Sequence, residues 1–80
     1  MKSDSDETYK RFRSLLVEKR KKSGLSQQEV ADKLGRPQTY VSKCERGTRR
    51  MDVVEFLRMA DVIGFDPAAF IKKLKSSEVK

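Results

Sequence analysis

Apolar residues recur along the chain at helical spacing, in five short stretches punctuated by glycine or proline. Tyr9, Phe12, Leu15 and Leu16 mark the first, over residues 8–23, with Lys10, Arg11, Arg13 and residues 19–22 filling the other faces. Gly24 ends it as a residue just past a helix C-terminus does. Ser26, followed three residues later by Glu29, forms a capping box that opens a second helix over residues 27–34. Val30, Ala31 and Leu34 form its inner face, and Gly35 breaks it. A third helix starts at Pro37 or Gln38, because proline is tolerated only at a helix start, and runs to Glu45 or Arg46 with Val41 and Cys44 inward.

Beyond Gly47, an irregular segment leads to Asp52, a good N-cap for a fourth helix. That helix places Val53, Phe56, Leu57, Ala60 and Ile63 on one stripe and ends at Gly64. Asp66 and Pro67 then supply an N-cap and a first-turn proline for a fifth helix burying Phe70, Ile71 and Leu74. Residues 1–7 are polar and aperiodic and are expected to be disordered, and residues 76–80 to fray. No strand pattern or repeat competes with this all-α reading.

At 80 residues, with 36% apolar side chains, there is enough for one small core and not for two domains. The formal charge of +7 is uneven. Residues 9–50 carry thirteen basic and four acidic side chains, whereas residues 51–66 carry one basic and four acidic. A basic half of this kind favours nucleic acid or an anionic surface as partner, set against an ordinary solvated surface. The chain has no His and one Cys, which removes histidine catalysis, disulfide scaffolds and Cys/His zinc sites. Its longest apolar run, residues 67–71, is far below the roughly 20 residues of a membrane span. The first residues lead into no apolar region, so no secretion signal is expected. A cytoplasmic binding protein remains. An enzyme is disfavoured, because Glu29, Asp32 and Glu45 lie beside basic residues with no nucleophile–base pair and no phosphate loop.

The informative constellation is two short helices joined at Gly35, with Ala31 allowing close approach. Helices this short need a scaffold, which leaves the outer face of the third for other work. Gln38, Thr39, Ser42, Lys43 and Arg46 occupy it. Glutamine pairs bidentately with adenine and lysine with guanine in the major groove, so the face suits base edges.

Residues 24–27 (Gly24, Leu25, Ser26, Gln27), with Val30, Ala31, Leu34, Gly35, Val41, Ser42, Glu45, Arg46 and Gly47, closely resemble the phage repressor/Cro (XRE) helix-turn-helix family, over about residues 9–74. The resemblance implies a compact five-helix, lambda-repressor-like DNA-binding domain over residues 8–75, with the helix-turn-helix at the second and third helices. It implies that Gln27 touches the phosphate backbone and braces Gln38, which reads the first base. Thr39, Ser42 and Lys43 would reach further base edges or nearby phosphates, and Arg46, Arg49 and Arg50 would grip the backbone. Glu45 would be a structural brace partnered by Arg20 or another basic side chain. Tyr40 suits either packing on sugar-phosphate or covering the scaffold.

Two positions depart from the family pattern. Pro37 sits where many members carry a Ser or Thr N-cap, leaving N–H groups that a phosphate could satisfy or altering the depth of entry into the groove. Cys44 replaces a larger apolar residue and is expected to be a packed core thiol. The fourth helix is more apolar than one buried stripe needs, which suggests a two-fold partner. The expected function is a sequence-specific regulator, a repressor, binding a palindromic double-stranded DNA operator as a homodimer. No cofactor, metal, small-molecule ligand or membrane is expected to take part, and no separate ligand-sensing domain. The alternative is a protein-interaction module of the same fold, antitoxin-like or coactivator-bridging.

Overall fold

The computed structural model describes residues 2–78, and the side chains of residues 7–76. Five helices follow one another: α1 (Lys2–Lys22), α2 (Gln27–Leu34), α3 (Gln38–Arg46), α4 (Val53–Ile63) and α5 (Pro67–Glu78). There is no strand among the described residues.

Local chemistry explains the boundaries. Ser26 Oγ accepts from the Glu29 N–H at 3.0 Å while the Ser26 N–H donates to Glu29 Oε1 at 2.8 Å, so both ends of the capping box are closed. Asp52 and Glu55 repeat the arrangement at the start of α4. Asp66 Oδ1 accepts from the Ala68 N–H at 3.0 Å at the start of α5. The backbone of α1 runs on past Thr8 to Lys2. The apolar periodicity starts only at Tyr9, so the sequence carries no mark of that extension. Of the tail expected to fray, residues 76–78 continue α5 and residues 79–80 lie outside the described part.

The core gathers Leu16 from α1, Val30 and Ala31 from α2, Tyr40, Val41 and Cys44 from α3, Phe56, Met59 and Ile63 from α4, and Phe70 from α5. Phe12, Phe56, Phe65 and Phe70 form a connected aromatic cluster, with ring centroids 5.0 to 5.9 Å apart, that ties α1, α4 and α5 together. Each fully buried large apolar side chain contributes about 1.5–3 kcal/mol, enough in sum to hold two helices too short to stand alone.

Two expectations about the core need correction. On α4 the buried face is Phe56, Met59, Ala60 and Ile63, whereas Val53 and Leu57 are 68% and 49% exposed. On α5, Phe70 is buried but Ile71 is 46% exposed. Adjacent apolar pairs, such as Phe56 with Leu57 and Phe70 with Ile71, lie about 100° apart on a helix, so one member can face the core while the other turns outward.

Candidate nucleic-acid interface

The site is built on α2 and α3. Gly35 adopts the left-handed conformation (φ 71°, ψ 34°), which an L-residue resists, and this closes α2 sharply enough for α3 to start three residues later, at Gln38. Pro37 caps α3 with extended backbone and no side-chain hydrogen bond. Gly47 ends α3 in the same left-handed region, and a Cβ there would lie 2.6 Å from Arg13 Nε. A side chain at 47 is therefore strained by conformation and would also have to push the Arg13 side chain aside.

One flank of α3, formed by Tyr40, Val41 and Cys44, is buried. Thr39, Lys43 and Arg46 are exposed, and Gln38 and Ser42 are half-buried. All four residues expected to read bases thus lie on accessible parts of one nine-residue helix.

A line of hydrogen bonds runs from the interior to this face. Arg20 grips Glu45 bidentately, Nε to Oε2 at 2.7 Å and Nη2 to Oε1 at 3.0 Å, with both side chains almost buried. Arg20 Nη1 also donates to the Leu25 carbonyl at 3.0 Å, tying in the turn before α2. Gln27 Nε2 donates to Glu45 Oε1 at 2.9 Å, and Gln38 Nε2 donates to Gln27 Oε1 at 2.6 Å. The expected bracing of Glu45 by Arg20 and of Gln38 by Gln27 is present.

The loop after α3 is also fixed. The Lys43 carbonyl accepts from the N–H groups of Gly47, Thr48 and Arg49 at 3.0 to 3.3 Å, which folds the chain back over the helix end. Arg46 Nη1 donates to Ser42 Oγ at 2.9 Å along the helix surface. Arg50 lies over the Tyr9 ring, 4.3 Å from its centroid. Arg49 has a role that its sequence position did not reveal: it holds Glu55 through two bonds of 3.0 and 2.9 Å.

Around that pair sits a cluster the sequence did not announce. The guanidinium groups of Arg36 and Arg49 lie 4.3 and 4.8 Å from the centroid of the Tyr40 ring, and Arg36 approaches Glu55 at 3.7 Å. Tyr40 therefore covers the scaffold. Burial, reinforced by nearby Cys44 and Glu55, pushes its phenol up to about 12. The Arg49 hydrogen bond, and then the Asp52 backbone N–H, hold the Glu55 carboxyl below its usual range. Burial raises the thiol of Cys44, which packs inside the core as expected. Arg13 was also missed: its Nη1 donates to the Glu45 carbonyl at 3.3 Å, from 32 positions away in sequence. No local signal could have paired residues so distant.

This geometry can be set beside known proteins. Residues 11–70 match the family model described as a helix-turn-helix domain. The chain belongs to the XRE-type helix-turn-helix family. A solved structure described as an XRE-family like protein from Pseudomonas syringae pv. tomato str. DC3000 superimposes on it with a TM-score of 0.92. The two share 42% identity, over 95% of this chain and 93% of the other. No curated protein matches. The XRE-type domain is thus a DNA-binding one, from a family that is generally non-enzymatic. None of its described helices is long and apolar enough to cross a membrane.

Proposed function

We propose that this protein is a sequence-specific transcriptional regulator, a repressor, that inserts α3 into the major groove and acts in the cytoplasm on double-stranded DNA. The observation that carries the reading is the accessible polar face of α3, with Gln38 pre-positioned through Gln27. In this reading Gln38, Thr39, Ser42 and Lys43 read base edges, while Gln27, Arg46, Arg49 and Arg50 contact phosphates. Gln27 has a second amide N–H beyond the one given to Glu45, which suits a phosphate oxygen. Arg49 makes its phosphate contact while anchored by Glu55, which limits the side-chain freedom lost on binding.

The operator is a palindrome bound by a homodimer, with half-sites about 34 Å apart. Val53, Val54 and Leu57 on α4 and Ile71 on α5, exposed by 46 to 68%, are the surface we assign to the partner copy. Leu57→Glu with Val53→Glu should convert a dimer to a monomer in sedimentation equilibrium. A species that is already monomeric at operator-binding concentrations would remove the dimer from the proposal.

Selection from a random duplex pool at about 0.15 M salt, wild type beside Gln38→Ala, tests the whole reading. We expect an enriched palindrome that loses definition at one position per half-site in the variant, with affinity reduced by about 1–3 kcal/mol. If six to eight phosphates are neutralised, log K should fall with log salt at a slope of roughly −5 to −7. The exposed apolar residues of α4 and α5 also favour a second reading, a protein-interaction module. No enriched sequence from a protein that stays helical by circular dichroism would transfer the assignment to it.

A further inference from the structure

Glutamine is an ambiguous reader, because one end of its amide donates and the other accepts, and the end presented depends on how the group is turned. The hydrogen-bond line ending at Gln38 has a direction. Glu45, held by Arg20 through 2.7 and 3.0 Å bonds, presents only acceptors. Gln27 must therefore turn its NH2 toward Glu45, and the 2.9 Å bond is the result. That leaves Gln27 Oε1 on the other side, able only to accept, and Gln38 meets it with its own NH2 at 2.6 Å.

Gln38 is thereby left with one N–H and its carbonyl oxygen. Adenine offers the major groove an acceptor at N7 and a donor at N6, which matches. Guanine offers acceptors at N7 and O6, which sets O6 against the Gln38 oxygen. We infer that Glu45 is a specificity-positioning residue: acting through Gln27 without touching DNA, its charge fixes the donor–acceptor order of Gln38 and so selects adenine over guanine at one base pair. The inference rests on the base-reading role proposed above for Gln38. With a neutral amide at position 45 either order of the line is permitted. In the reversed order Gln38 keeps both N–H groups free, a set that suits guanine.

The test uses Glu45→Gln and, because that change strands a nearly buried arginine, the paired variant Arg20→Met/Glu45→Gln, which removes both charges together. The probes are two duplexes carrying the wild-type selected sequence, one with the A·T pair read by Gln38 and one with G·C in its place. Wild type should prefer the adenine duplex by roughly 5- to 150-fold. In whichever variant is folded, the preference should fall to within about 3-fold, mainly through tighter binding of the guanine duplex relative to other changes. In the free protein, the side-chain amide resonances of Gln27 and Gln38 should lose the wild-type dispersion in nitrogen–proton correlation spectra.

Equal weakening on both duplexes, with the adenine preference intact, would show Glu45 to be a structural brace and overturn the inference while leaving DNA reading in place. Unchanged amide resonances in both variants would overturn it on the protein side. If wild type enriches no sequence at all, the reading of Gln38 as a base contact fails and the inference falls with it.

Discussion

Arg20→Met should expose how much of this domain depends on a single ion pair. Methionine keeps much of the aliphatic stem, so packing changes little, but three bonds vanish: two to Glu45 at 2.7 and 3.0 Å and one to the Leu25 carbonyl at 3.0 Å. The Glu45 side chain, 8% exposed, keeps Gln27 Nε2 as its remaining side-chain donor at 2.9 Å. Stranding one charge of a buried pair costs about 3–5 kcal/mol. A domain of 80 residues is stable by about 4–12 kcal/mol, so the loss takes a large share of the total. At about 4–8 °C per kcal/mol for a domain of this size, Tm should fall by at least ~12 °C. Thermal and urea unfolding followed by helical circular dichroism at pH 7 would measure it. Arg20→Met/Glu45→Gln should recover most of the deficit, because the cost lies in the lone charge and not in the missing pair. A single variant within about 1 kcal/mol of wild type, or a double variant no better than the single, would refute this account of the pair.

Because the Arg49 hydrogen bond lowers the Glu55 carboxyl in the folded state, its contribution to stability is present above the unfolded value near 4.3 and disappears as pH falls through the folded one. Glu55→Gln should therefore flatten the acid side of the stability–pH curve below about pH 5, and an unchanged acid limb would contradict the assignment. Gly47→Ala should destabilise by about 1–2 kcal/mol from its left-handed backbone alone, and by more than Gly35→Ala, since only position 47 also meets Arg13; equal losses in urea melts would remove the steric component. Cys44 should react with a thiol reagent only as fast as the domain opens, with the rate collapsing to a single value set by unfolding; rapid native-state labelling would show the core to be open there. In alkaline titration of a Tyr9→Phe variant, where absorbance reports Tyr40 alone, that residue should ionise at about 12, and an ionisation near 10 would mean that the ring is not held as described.

Much of this architecture was legible residue by residue. Ser26 with Glu29, Asp52, and Asp66 with Pro67 are local devices: each satisfies N–H groups within three positions, so a linear reading finds them. Gly24, Gly35, Gly47 and Gly64 all take positive φ, a preference carried by the residue itself. The third-helix face was equally readable, because period 3.6 separates Val41 and Cys44 from Thr39, Lys43 and Arg46 without knowledge of what packs where.

Long-range partnerships were a different matter. The family resemblance named Arg20 as a partner for Glu45, but the residues themselves carry no such mark; the crossing of α1 over the end of α3 makes that contact from 25 positions away and adds the unanticipated Arg13 from 32. Arg49 reads in sequence as one more loop cation, yet the turn held by the Lys43 carbonyl swings it onto Glu55 and beside Tyr40. On α4 every face offers an apolar residue, so periodicity alone could not choose which would be covered. The packing of α2 and α5 against that helix covers Phe56, Met59, Ala60 and Ile63, and leaves Val53, Val54 and Leu57 outside. Local propensity and capping act over one helical turn and are written in the order of residues. Burial and ion pairing depend on which surfaces the chain brings together, and that is settled only when all five helices close on a common core.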